Sequence, residues 1–162
     1  MSIFMNYDGI KGECADSNHE EWLDLESIQW GVDRRITSAT STQNDRESAN
    51  AEISDLIVTR RMDSATPNIF METCCGTGKD VVIHLTKTGS GSGTDTYMEY
   101  TLKNALMSHY SVNANSQETG RPSEQITISF VDLEVKYTPH DEDGNALAAV
   151  AVGFDTATNN KR

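Results

Sequence analysis

Apolar and polar residues alternate along most of this chain, the period-2 signature of strands with one buried face. Ile3, Met5 and Tyr7 alternate before an Asp8-Gly9 turn; after an acidic loop Leu23 and Leu25 alternate, and the phase then shifts to Ile28, Trp30 and Val32. Leu56 and Val58, then Val81, Ile83 and Leu85, and finally Val150, Val152 and Phe154 predict further strands between turn residues or polar stretches. Met98, Tyr100, Leu102, Leu106, Tyr110 and Val112 share one parity over a stretch too long for an ordinary strand, which predicts a single long, bent one. Ile126, Ile128 and Phe130 give way to Leu133, Val135 and Tyr137, a switch that a β-bulge between Phe130 and Leu133 would absorb. About eight strands result, and the bend and the bulge suit closure into a small β-barrel.

One segment breaks the alternation. Pro67 suits the first turn of a helix, Thr66 or Ser64 offers a capping oxygen, Ile69, Phe70 and Cys74 share one side, and Gly76 stops the run after about three turns. The expected fold is therefore mainly β, a small closed barrel with one short α-helix. A long polar arm interrupts it at 33–50, where Ile36 is the only large apolar residue among hydroxyl and charged side chains. Such an excursion within one compact domain spanning 1–162 suggests a binding segment, ordered against a neighbouring subunit. The tail at 155–162 is short and polar. The Gly89-Ser90-Gly91-Ser92-Gly93 run reads as a hairpin tip, because no helix start follows it to cradle a phosphate.

Charge narrows the partners. With 25 acidic and 13 basic side chains the net charge of −12 repels nucleic acid and anionic lipid, and no stretch is long and apolar enough for a membrane span. The acidic residues between Asp8 and Glu26 read as a solvated edge. Three cysteines, two of them the neighbours Cys74 and Cys75, fit a reducing, cytoplasmic folding compartment and read as small apolar core residues. The first residues lack the basic region of a cleavable signal peptide, so any export would use another route.

Catalytic chemistry finds no foothold. His19, His84, His109 and His140 show no metal-ligand spacing, and alternation places His84 on the opposite sheet face from Ile83 and Leu85, toward surface or lumen. Gly76-Thr77-Gly78-Lys79-Asp80 lacks both the first glycine and the hydroxyl of a nucleotide loop. Asp141-Glu142-Asp143-Gly144-Asn145 lacks the first and last ligands of a calcium loop and reads as a turn between strands. No catalytic residue, cofactor or metal is expected, which leaves surfaces to carry the function.

Several ordered fragments share their sequence and spacing with a known family. They are Asp8-Gly9-Ile10-Lys11-Gly12-Glu13, Ile28-Gln29-Trp30-Gly31, the run from Asp55 to Asp63, and Ser64 to Asn68 leading into the helix. Tyr100-Thr101-Leu102-Lys103-Asn104-Ala105-Leu106 and Glu124 to Phe130, running on to Val135-Lys136-Tyr137, complete the set. Through them nearly the whole chain resembles the haemolysin-coregulated proteins, tube subunits of bacterial type VI secretion systems.

The resemblance implies six copies closing into a ring, rings stacking into a tube, and a contractile sheath, a spike protein and effector proteins as partners. It also implies assembly in the cytoplasm and then secretion without a cleavable leader. The residues expected to touch a neighbouring copy are Trp30, Arg34, Arg35 and Arg46 on or beside the arm, with Thr66 and Asn68 at the helix start. The arm is charged where many relatives are glycine-rich. A phage-like tail tube subunit is the alternative nearest in architecture, and a secreted carbohydrate-binding β-sandwich presenting Trp22 or Trp30 is the alternative from another class.

Overall fold

The computed structural model describes residues 1–36, 50–89 and 94–162. In chain order the strands are β1 (Ser2–Tyr7), β2 (Leu23–Leu25), β3 (Ser27–Gln29), β4 (Val32–Arg34), β5 (Ala51–Ile53) and β6 (Leu56–Arg61). A helix α1 (Thr66–Cys75) leads to β7 (Lys79–Thr88), β8 (Thr94–Asn113), β9 (Ser123–Ser129), β10 (Asp132–Tyr137), β11 (Val150–Asp155) and β12 (Asn160–Lys161). Twelve strands among the described residues exceed the expected eight, because predicted single strands are broken and the short β5 and β12 carry no alternation to reveal them.

All pairings are antiparallel. The larger layer runs β12-β11-β10-β8-β7-β1-β2, and a second layer branches from β8 through β9 and β6 to β3. The strands do not form the simple closed barrel expected. Each layer keeps free ends, at β2 and β12 in one and at β3 in the other, while β8, 20 residues long, belongs to both. The single residue Glu26 separates β2 from β3, so the chain passes between the layers there too. Between them lies a core that includes Met5, Tyr7, Leu23, Leu56, Val58, Ile69, Val81, Ile83, Leu102, Ile126 and Ile128, each fully buried.

The long bent strand is present, but its inward parity changes midway. Leu102 faces the core, then Ala105 and Met107 do, while Leu106 and Val112 point outward. Asn104 makes the change with a left-handed φ of 52°, a conformation that asparagine tolerates better than most residues. The switch between Phe130 and Leu133 is a break between two strands, where a bulge in one had been expected. β9 pairs with the far half of β8 and β10 with the near half, so the chain changes layers at Phe130-Val131, and Val131 N–H donates to Lys103 O at 3.1 Å.

Helix α1 packs against β8, where the Thr73 hydroxyl meets Met107 Sδ at 3.8 Å, and Ile69 is its fully buried residue. Phe70 and Cys74, expected beside Ile69, point to solvent, since 100° per residue carries Phe70 off the inner stripe. Neither Thr66 nor Ser64 caps the helix. Asp63 instead accepts the Ala65 N–H at 2.8 Å, one residue before the first turn. Gly76 ends the helix in extended geometry and lies so close to Glu72 that a Cβ would stand 2.4 Å from its carbonyl oxygen.

Residues 8–22 fold back over the outer face of the larger layer and cover Phe4, which points away from the core between Ile3 and Met5. Gly9, at φ +86°, makes the turn after β1. Gly12 N–H donates to Glu21 O at 2.7 Å, and a Cβ on Gly12 would stand 2.5 Å from Trp22 O. β4 and β5 form a separate two-stranded stem. It is the root of the polar arm, whose residues 37–49, Arg46 included, lie outside the described ones.

Candidate functional site

The groups able to do covalent chemistry are scattered. Cys14 is buried, and burial pushes its thiol up. Cys74 and Cys75 are exposed on the outer side of α1, contrary to the expectation of core residues, and the Cys75 thiol donates to Met71 O at 3.3 Å. The Tyr7 hydroxyl, pushed up to about 12 by burial and secondarily by the nearby Glu72 charge, donates to Ala105 O at 3.4 Å. Among the described residues no three His, Cys, Asp or Glu side chains are grouped so as to hold a metal ion, and no helix is long and apolar enough to cross a membrane.

Thr66 belongs to a buried polar cluster at the helix start. Arg60, 1% exposed, comes from β6 and lies directly opposite Glu124 of β9 in register, while Tyr110 of β8, opposite Ile126, reaches Glu124 diagonally. Arg60 Nη2 contacts Asp63 Oδ2 at 2.7 Å, and Arg60 Nη1 donates to Glu124 Oε1. The Thr66 hydroxyl also donates to Glu124 Oε1, at 3.1 Å, and the Tyr110 hydroxyl donates to Glu124 Oε2. Burial pushes Tyr110 well above its ordinary value, and the Glu124 carboxylate adds to the effect. Asn68, two residues on and turned to the opposite side of the helix, is exposed and borders a shallow concavity with Tyr7, Ile10, Glu21 and Trp22.

Trp30 stands at the root of the arm. Its ring meets Tyr100 edge-on at 5.5 Å, above a depression lined by Met1, Ile3, Ile28 and Leu85. Arg34 and Arg35 follow as exposed residues at the end of β4 and just beyond it, while Thr66 and Asn68 lie at the helix start on another element.

The alternation did reveal a further surface, although not that it would be uncovered. Register places Val150, Val152 and Phe154 of β11 beside Tyr137, Val135 and Leu133 of β10, on the face that carries Leu102 into the core. The smaller layer does not reach that far. Val150 is 66% exposed, Val152 53%, and Tyr137 and Leu147 about half. A second apolar patch, Phe70 and Met71, lies on α1 against the other half of β8.

Comparison with known proteins gives concordant results. Residues 4–137 match the family described as "Type VI secretion system effector, Hcp". The chain is 28% identical over 147 residues to Protein hcp1 of Pseudomonas aeruginosa, covering 89% of this chain and 87% of that one. Among solved structures it resembles a type six secretion system protein with a TM-score of 0.91 at 22% identity, over 99% of both chains. It also resembles Hcp1 from Salmonella typhimurium, with a TM-score of 0.77 at 20% identity over 99% of this chain and 98% of that one. At these identities the structural likenesses speak for the fold.

Proposed function

This chain belongs to the haemolysin-coregulated protein family, the tube subunits of type VI secretion systems, and from that premise we propose that six copies close into a ring and that rings stack into the ejected inner tube. The observation that carries the reading is the family match across 4–137, which spans both layers and the helix. The whole chain serves as one tube domain, its two layers acting together as a barrel-like wall segment. The uncovered inner face of β10 and β11 supplies the apolar surface that ring closure removes from water.

Trp30, Arg34, Arg35 and Arg46 then meet a neighbouring copy at the arm, and Thr66 and Asn68 do so at the helix start. The lumen carries effector proteins, a sheath surrounds the tube and a spike caps it, and the subunit passes from the cytoplasm to the outside with the tube. No catalytic step belongs to this role.

Mass photometry and negative-stain microscopy of the purified protein test it. Six copies of 17.8 kDa should give particles of about 107 kDa with an open centre. Monomers alone, up to the highest soluble concentration and across buffers, would refute the ring.

A further inference from the structure

Four side chains stand in a row with three hydrogen-bonding gaps between them. Asp16 Oδ2 lies 2.7 Å from His19 Nδ1, His19 Nε2 lies 2.9 Å from His84 Nδ1, and His84 Nε2 lies 2.8 Å from Glu99 Oε2. Asp16 and His19 belong to the loop over the outer face, His84 to β7 and Glu99 to β8. His84 does lie opposite the core, as alternation implied, but the loop half-buries it where surface or lumen had been expected. His19 is 2% exposed, stacked on Phe4 at 4.3 Å and met edge-on by Trp22 at 4.8 Å.

Each gap holds one proton. With none, lone pairs or a lone pair and a carboxylate oxygen face each other; with two in the middle gap, two N–H groups do. Three gaps call for three protons, and two neutral imidazoles supply only two. We infer that the Asp16–His19–His84–Glu99 row is a binding site for one extra proton, held as a single imidazolium by the histidine pair, that clasps residues 8–22 onto the sheet. The row is not a metal site, because its donors face one another in sequence and do not converge on a point.

Burial pushes the His84 pKa down, with Glu99 acting in the opposite direction, and the Phe4 face stacked on His19 suits a cation. The hydrogen bond from His19 holds the Asp16 carboxyl below its usual range. The charges nearest by register are Asp24, across β1 from His84, and Lys136, across β8 from it, with Glu134, Lys103 and Asp80 farther along the same face. Thr94 Oγ1 donates to Asp16 Oδ2 at 3.2 Å, and the Thr96 hydroxyl, 3.3 Å from His84 Nδ1, can donate to that nitrogen but would still leave His19 Nε2 facing it at 2.9 Å without a proton between them.

The folded pair keeps one extra proton, whereas the unfolded chain binds none above about pH 6.5 and two below it. Above that pH the folded state binds more protons, so stability falls as pH rises. Below it the unfolded state binds more, so stability falls as pH drops. The clasp therefore contributes most near about pH 6.5.

Solid-state NMR of the full-length protein with 15N-labelled histidine tests this independently of assembly, using His109→Gln and His140→Gln proteins to remove the other two signals. At pH 7 three of the four ring nitrogens of His19 and His84 should be protonated and one bare; two or four would overturn the site. In Glu99→Gln the amide N–H can donate to His84 Nε2, so the count should fall from three to two. The melting-temperature difference from wild type should also shrink between pH 7 and pH 9. A count that stays at three in that variant would equally overturn the assignment.

Discussion

Replacing Arg60 by methionine probes the electrostatic centre of the fold. Methionine keeps the volume of the stem but strands Glu124, whose side chain is wholly buried, with only the Thr66 and Tyr110 hydroxyls as donors. Asp63, 10% exposed, keeps the Ala65 and Glu13 N–H groups and loses its ion-pair partner. Removing one partner of a buried ion pair typically costs about 3–5 kcal/mol, because an uncompensated charge remains in the interior. At about 2.1 cal/mol/K per residue, the unfolding entropy of 162 residues is about 0.34 kcal/mol/K, so the midpoint should drop by about 9–15 °C. The assay is a thermal melt followed by circular dichroism, with wild type and R60M at one protomer concentration because assembly shifts the midpoint. Adding Glu124→Gln to R60M should restore part of the loss, since a neutral amide no longer needs a cation. A drop below about 3 °C for R60M, or a double variant as damaged as the sum of the singles, would show that the pair does not stabilise the fold as argued.

Gly12→Ala drives a methyl group to 2.5 Å from the Trp22 carbonyl and 2.8 Å from Leu23 Cδ2, and backbone there cannot yield cheaply, so a loss of about 1–3 kcal/mol is expected in the same melt. A midpoint within 1 °C of wild type would contradict the close approach. For assembly, six chains at −12 place 6 × −12 = −72 charges on a ring, so screening by monovalent salt should promote stacking as the Debye length falls to about 8 Å near 0.15 M. Light scattering that stays flat or declines across a salt series would contradict repulsion as the limiting term.

The strand signal was legible wherever one face met the core. Ile3, Met5 and Tyr7, then Val81 and Ile83, alternate because each lies in a half-buried strand, and the Asp141 to Asn145 turn appears as read, with Gly144 at φ +85° between β10 and β11. What escaped depends on tertiary context. The parity change at Asn104 needs a left-handed residue, and asparagine alone is too weak a signal to place one. The break at Phe130-Val131 imitates a bulge because both reset the phase. The acidic loop looked solvated, yet Asp16 is tied to His19 and Glu13 to Arg121, partners 3 and 108 residues away. The Arg60 cluster was hidden for the same reason, since an arginine in a strand reads as an exposed one until register brings Glu124 beside it. Of the expected contact residues, Trp30 is tied to Tyr100 and Thr66 to Glu124 within the subunit, so their local packing explains them as well as any neighbour does.

That last observation bears on the family signal itself. Asp8-Gly9-Ile10-Lys11-Gly12-Glu13 combines the positive-φ turn at Gly9, the close approach at Gly12 and Glu13, whose carboxylate receives the Ser64 N–H at 3.2 Å and Arg121 at 2.9 Å. The run from Asp55 to Asp63 supplies β6 with Arg60 and Asp63, and Lys103-Asn104-Ala105 supplies the turn-over in β8. These fragments each have a task inside one subunit, which is to fix how the loop, helix and two layers meet. The exposed apolar residues Val150 and Val152 on β11 and Phe70 and Met71 on α1 lie outside the fragments that carried the resemblance, whereas Tyr137, paired with Val150, lies within one. Substitutions at Val150, Val152, Phe70 or Met71 that change assembly while leaving the melt untouched would accordingly be compatible with unchanged membership of the family, because the fragments that specify the subunit do not include them.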